Sequence, residues 1–324
     1  MRLLALALVL IAVSADAAVL KVAELNTEQI RALDRARTAV ILPGGILEEH
    51  GPYLPSYSDG FMNERITRDL AEAIGARPGW TALVFPVIPL GSGGANEIGA
   101  HYSYPGSYTV RSTTVRAIFT DLASELGEQG FRWVFVVHGH GSPPHNRALD
   151  DASDFFRDTF GGQMVHLLGL MEVLDCCDAG RRTASAEVHR EDGFTVHAGA
   201  GEHSNVMHLR PDLVPDTIAK APTHTATSPA ELVAAARKPD WPGYFGAPRH
   251  ANAARGAAGL AQQSAFIVKL AQEVLDGRDL RGRPRYADEI MKQPDIAKVV
   301  EDSLAREAQL ETRHQQWLAA RAKK

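Results

Sequence analysis

Trp133-Val134-Phe135-Val136-Val137-His138-Gly139-His140-Gly141-Ser142-Pro143-Pro144-His145-Asn146 is the stretch that decides the fold. Five consecutive apolar residues, with no polar alternation, read as a strand buried on both faces, the kind found in parallel sheets. Pro143 or Pro144 suits the first turn of a helix, where the missing N–H costs nothing, and that helix runs to about Phe160. The unit is therefore strand, glycine-rich polar turn, helix.

Working outward, the same alternation recurs. Ala39-Val40-Ile41-Leu42 is a second buried strand, and Asp59 to Ile74 reads helical, with Phe61, Ile66, Leu70 and Ile74 near one face and Gly75 ending it. Leu83 to Ile88 is a strand candidate made irregular by Pro86. Ser112 or Thr113 caps a helix through about Leu126, and Met164 to Leu170 is a fourth strand candidate. Thr27 to Arg35 is a short helical candidate, and Cys176 to about Ala200 reads as a long loop. Asn252 to Leu275 is a long amphipathic helix, and Asp295 to Ala320 a solvated one. Strands alternating with helices point to an α/β layered fold with a mainly parallel sheet.

Length and charge narrow the function. At 324 residues and 45% hydrophobic, the chain can build one large domain with a sizeable core. Its net charge of −5 gives no support to nucleic-acid binding, which needs a clustered excess of Lys and Arg. Met1-Arg2, the apolar run Leu3 to Val13 and Ala15-Asp16-Ala17 have the pattern of a secretory signal, and the run is shorter than the roughly 18 to 20 apolar residues a spanning helix needs. The expected division is a signal over 1–17, one large domain over 18–276 and a charged, mostly helical extension over 277–324. The product is expected to be secreted or periplasmic, with no membrane contact after signal removal. The adjacent Cys176 and Cys177 form no disulfide framework and receive no catalytic role.

Ligands in open parallel sheets gather at the carboxyl ends of the strands, and polar groups collect there in this chain. Pro43 to Asp59 holds Glu48 and His50 at i and i+2, so that in extended chain they share a side while Glu49 faces away. Asp59 follows at a helix start, where a carboxylate also serves as a cap. His101 follows the Leu83 to Ile88 strand, His138-Gly139-His140 follows Trp133 to Val137, and His197 to Ser204, with Glu202 and His203, lies after Met164 to Leu170. A Glu-x-His, an Asp and a His-x-His at successive strand ends fit metal ligands better than packing. The G-x-S-x-G elbow of a serine hydrolase is absent around Ser142, as are the H-E-x-x-H, Walker and dinucleotide fingerprints.

These stretches resemble, in order, the motifs of the creatininase (creatinine amidohydrolase) family. Gly45-Ile46-Leu47-Glu48-Glu49-His50-Gly51-Pro52-Tyr53-Leu54-Pro55 with Asp59 is similar to G-x-x-E-Q-H-G-P-H-L-P followed by T-D. His101 to Ser107 resembles H-x-x-F-P-G-T, His138 to Gly141 resembles N-G-H-G, and His197-Ala198-Gly199 with Glu202 and Ser204 resembles H-A-G-x-x-E-T-S. Gly246-Ala247-Pro248 with Ala251 resembles G-x-P-x-x-A. The resemblance implies a three-layer α/β/α fold and two divalent metal ions per chain, Zn first, with Mn or Fe as alternatives. It implies that Glu48 and His140 hold one ion, His50 and Glu202 the other, that Asp59 bridges them, and that His197 carries protons. It further implies a homo-oligomer.

Departures from the motifs mark the pocket. Tyr53, His138 and His203 replace the usual His, Asn and Thr, and Ser142 stands where creatininase itself places a ligand Glu. Tyr53, His101, His138, His145 and His203 are therefore expected to contact substrate or support the ligands. The expected chemistry is hydrolysis of the C–N bond of a small linear or cyclic amide through metal-bound hydroxide, with His197 protonating the leaving nitrogen. The rivals are a metallopeptidase acting on a small peptide, a non-catalytic metal-binding protein and a serine hydrolase using Ser142.

Overall fold

Alternate residues of the central strands point to opposite faces, so a strand that is apolar throughout needs a core on each side. The structure, a computed structural model, describes residues 18–176 and 184–322. Five strands, β1 Ala18–Lys21, β2 Thr38–Pro43, β3 Thr81–Val84, β4 Trp133–Val137 and β5 Gln163–His166, pair in parallel in the order β1-β3-β2-β4-β5. The helices that bear on the site are α1 Ser58–Gly75, α2 Ser112–Glu128, α3 Pro143–Phe160, α4 Ala200–Leu209, α5 Ala253–Leu275, α6 Tyr286–Ile290 and α7 Pro294–Arg321.

Ile41, Phe135 and Val137 face one core, which α1 fills with Ile66, Leu70 and Ile74 and α5 with Ile267, Leu270 and Val274. Val40, Leu42, Val134 and Val136 face the other, filled by Val115 and Phe119 of α2 and by Leu149 and Phe156 of α3. This is the three-layer α/β/α sandwich, with its mainly parallel central sheet. Phe135 is fully buried, and truncating it to Ala costs about 3 to 5 kcal/mol by the usual scale for large core residues.

Several expectations shift in their bounds. The strand expected over Leu83 to Ile88 ends at Val84, because Pro86 has no N–H for a ladder, and the chain continues with Ile88 N–H bonded to the Pro43 carbonyl at 3.0 Å. The fourth strand stops at His166 and tightens into a turn over Leu167–Gly169. The first helical candidate ends at Arg31. The region from Cys176 to Ala200, expected as a loop, holds a helix over Ala186–Asp192, capped by the Ser185 side chain. Cys176 is disulfide-bonded, while Cys177 and residues 1–17 lie outside the described residues. No described helix is long and apolar enough to cross a membrane.

Candidate metal centre

The sheet order places β2 and β4 side by side. From β2 the chain crosses to β3 on one side, and from β3 it returns across β2 to reach β4 on the other. Such a reversal opens a crevice at the carboxyl ends of the two strands, which is where ligands bind in open α/β sheets. The loop after β2 brings Glu48, Glu49 and His50, the first turn of α1 brings Asp59, and the turn after β4 brings His140. Asn63 of α1 clamps that turn from both directions, donating to the Gly139 carbonyl at 3.2 Å and accepting from the Gly139 N–H at 3.0 Å. Asn146 of α3 donates to the His140 carbonyl at 2.7 Å.

Two donor sets meet at one carboxylate. Glu48, Asp59 and His140 offer atoms within 4.8 Å of one another, and so do His50, Asp59 and Glu202. His140 Nε2–H donates to the Gly93 carbonyl at 3.0 Å, so its Nδ1 lone pair faces Glu48 Oε2 and Asp59 Oδ2, each 3.2 Å away. His50 Nδ1–H donates to the Glu48 carbonyl at 3.1 Å. Its Nε2 then faces Asp59 Oδ1 at 3.7 Å and Glu202 Oε2 at 4.0 Å. A carbonyl can only accept, so each neutral imidazole turns a bare lone pair toward carboxylate oxygens that also only accept. Each set therefore calls for a cation. The buried His50 Nε2 has no hydrogen-bond partner, and mixed carboxylate and imidazole donors suit Zn, Mn or Fe. The residues fit divalent ions.

The charges tell the same story. Burial alone would push the Asp59 and Glu48 carboxyls up. Asp59 is instead held well below the usual range by His140 and His50, and Glu48 is held low by His140 and His197. The His140 imidazole is driven well above its ordinary range against the opposing effect of burial, by Glu48 and Asp59. Glu202 goes the other way, raised by burial despite His50 and His197 nearby. Its carboxylate also accepts from the Ala198 N–H. Ala198 has φ +49°, a left-handed conformation unusual for a residue with a Cβ, and it lies between His197 and the start of α4.

His197 is 5% exposed and packs on His50 with ring centroids 4.4 Å apart. Its Nε2–H donates to the Glu49 carbonyl at 2.6 Å, and Nδ1 lies 3.7 Å from Glu48 Oε1. Burial works against a charge there, yet Glu48 and Glu49 outweigh it and push the imidazole up to about 10. Glu48, His50 and His197 form a third cluster within ligand distance, so geometry leaves His197 open to either role.

Glu49 is the residue that sequence reasoning missed. Expected to face away, it is buried, with Oε1 3.5 Å from His197 Nε2 and otherwise unpartnered. The signal was present in the motif itself, where Glu49 stands in place of the resembled family's Gln.

The remaining candidates lie around this centre. His138 and His145 are fully buried and bonded to each other at 3.1 Å, with His145 Nδ1 accepting from the Ser92 N–H. Burial pushes His138 down to about 3 and His145 well below its ordinary value, so both are neutral. His203 is buried against the Gly199 carbonyl and pushed down to about 4 by that burial, and Tyr53 packs near it. His101 bonds the Ala236 carbonyl at 2.8 Å and stacks on Trp241, away from the donor sets. Ser142 precedes the first turn of α3, and no described imidazole hydrogen-bonds its hydroxyl.

A cavity of about 460 Å³ opens on Glu48, Asp59, His140, His197 and Glu202, a size that suits a small-molecule site.

A family model described as creatinine amidohydrolase matches residues 23–271. A mycofactocin precursor peptide peptidase from Mycobacterium ulcerans is 26% identical over 196 residues, 59% of this chain and 66% of that protein. The creatinine amidohydrolase of Pseudomonas putida is 28% identical over 120 residues, 37% of this chain and 44% of that one. The chain thus spans less than two thirds of the length of these curated relatives. A crystal structure of creatinine amidohydrolase superposes with a TM-score of 0.57 at 21% identity, covering 80% of this chain and 99% of that one. A creatininase structure with Mn gives 0.57 at 23% identity, covering 79% and 98%.

Proposed function

The chain belongs to the creatininase family, and from that premise we propose that it is a metal-dependent amidohydrolase cleaving the C–N bond of a linear or cyclic amide with two divalent ions per chain. The observation that carries this reading is the meeting of two cation-seeking donor sets on Asp59. Glu48 and His140 would hold one ion, His50 and Glu202 the other, and Asp59 would bridge. When bound, such ions supply a nucleophile at neutral pH and polarise the amide carbonyl.

The chain's own residues do the rest. The Gly93 and Glu48 carbonyls fix the tautomers of His140 and His50 and aim their lone pairs. His197 carries a proton to the leaving nitrogen, a step amide cleavage requires because an amide anion is too poor a leaving group. Its Nε2–H is committed to the Glu49 carbonyl, so Nδ1 is the atom placed to exchange that proton. Glu49 holds the ring in this orientation and favours its charged form.

The linear-amide reading gains from the roomy cavity and from the similarity to proteins named as peptide peptidases, which makes a small peptide the second substrate class. The proposal includes export with loss of residues 1–17, read by N-terminal sequencing, and a homo-oligomer, read by light scattering. The deciding experiment is metal analysis of the purified protein together with turnover of an amide and dipeptide library before and after chelation. Two ions per chain and chelator-sensitive hydrolysis are expected. Full activity after chelation, with labelling of Ser142 by a fluorophosphonate, would overturn the reading.

A further inference from the structure

One wall of the cavity is built by the carboxyl-terminal segment, which lies beyond the family match ending at residue 271. Ile290 of α6 and Ile296, Val299 and Val300 of α7 line it. In α7 these three residues fall at i, i+3 and i+4, one stripe of the helix, and Val300 is buried. Ile98 and Phe194, from the body of the chain, line the same cavity. Where the donor sets present only charged and polar atoms, this wall presents branched aliphatic and aromatic carbon.

The segment is fastened in place. Tyr286 donates its hydroxyl to the Gly141 carbonyl at 2.8 Å, beside His140. Arg285 makes two bonds to the Asp154 carboxylate at 2.8 and 2.7 Å. Two turns beyond Val300 the α7 stripe carries Glu307, which accepts from both the N–H and the hydroxyl of Ser112 at 2.7 Å. Arg111 pairs with Glu311 one turn later. Beyond Glu311 the helix is exposed. The part that reaches the cavity is tied down on both sides.

A pre-formed apolar wall facing a hydrolytic centre gains nothing from a small polar substrate, because apolar surface is stabilised only by apolar surface that leaves water with it. We infer that residues 290–300 form a specificity subsite for an aliphatic or aromatic group attached to the scissile amide. The substrate class is then an amide or short peptide with a hydrophobic side chain next to the cleaved bond. Glu97 and Glu307 lie on the same lining and disfavour an anionic group there.

This inference rests on the metal-dependent reading above, and its test separates the two. Hydroxamates bind divalent ions and can carry tails of any length. Affinities of acetohydroxamate, hexanohydroxamate and phenylacetohydroxamate are measured by calorimetry on the metal-loaded full chain and on the variants Val299→Asp, Val299→Trp and Leu304→Asp, with metal content determined for each. In the unmodified protein the six-carbon and phenyl tails are expected to tighten binding about tenfold or more over acetohydroxamate, given the several-fold gain per buried methylene. Val299→Asp, which charges the wall, and Val299→Trp, which fills it, should both abolish that gain while keeping acetohydroxamate affinity and metal content. Leu304→Asp, on the exposed face of α7, should change nothing. A tail gain that is absent, or that survives both wall variants, overturns the subsite. Failure of acetohydroxamate to bind, with no metal retained, overturns the metal-dependent reading and the subsite with it.

Discussion

The two ends of the cavity are built by opposite rules. The donor sets come from the loops after β2 and β4 and from the first turns of α1 and α4, gathered at the carboxyl ends of the central strands, and their buried charges are tolerable only as a mutually compensating group. The apolar wall comes from helices that follow the residues of the family match, and it is partly exposed and held by part-buried polar contacts such as Arg285 with Asp154. Chemistry that demands sub-ångström placement sits on the rigid part. The apolar contacts of the proposed subsite sit on the appended part.

That contrast predicts different failures. The largest loss should follow Asp59→Asn, which weakens both donor sets at once: both ions should leave together and turnover of every substrate should fall to background, as read by metal analysis and an amide library. Next comes His197→Asn, expected to keep two ions per chain yet lose turnover by roughly 10² to 10⁴, the usual contribution of a positioned acid or base. Glu202→Gln should lower the occupancy of one ion and not the other. If His197→Asn releases metal and Glu202→Gln does not, the third cluster of Glu48, His50 and His197 is the real second set.

A pH series sharpens the same contrast. His197 in the metal-free chain is raised from 6.5 to about 10, so the stability it contributes is present in full below pH 6.5 and is lost as pH climbs toward 10. Bound ions would take over from the protons. The Tm of chelated protein should therefore drop over that interval while that of loaded protein holds, so the gap between them widens with pH. If the gap stays constant, the donor sets do not exchange protons for ions. On the wall side, Glu307→Ala should cost about 2 kcal/mol in denaturant unfolding, by removing two charge-assisted hydrogen bonds to Ser112, with metal content unchanged. The smallest effect should come from replacing Cys176 and Cys177 with Ser, which leaves turnover within a few-fold because neither belongs to the motifs that supply the metal donors.

What could be read without coordinates follows the same division. Trp133–Val137 and Pro143–Phe160 stand where the sequence places them, because a fully apolar run and an N-terminal proline are local signals that no tertiary contact overrides. β1 went unread: four residues at the sheet edge, Ala18–Lys21, carry too little pattern to separate from a coil. The helix at Ala186–Asp192 has no buried residue and so no apolar stripe to betray it. The gathering of Glu48, His50, Asp59, His140 and Glu202 was legible because the segments after buried strands rarely carry so many ligand-type side chains. The role of Glu49 was not, since the chain after β2 leaves extended geometry and an i, i+2 argument no longer tells which way it faces. The wall was hidden for another reason. Ile296, Val299 and Val300 look like any half-buried helical face, and only packing shows that they meet a cavity.

Gly44 lies directly after β2 and has its N–H bonded to the Val137 carbonyl at 2.9 Å. A Cβ there would stand 1.7 Å from Cδ2 of His138, so nothing larger than glycine fits while histidine occupies 138. The ring is itself fully buried, bonded to His145 and packed on Phe119. Across related sequences the two positions should therefore change as a pair: where a small residue such as Asn replaces the histidine, Ala or Ser becomes permissible at 44, and where the histidine persists the glycine must persist with it.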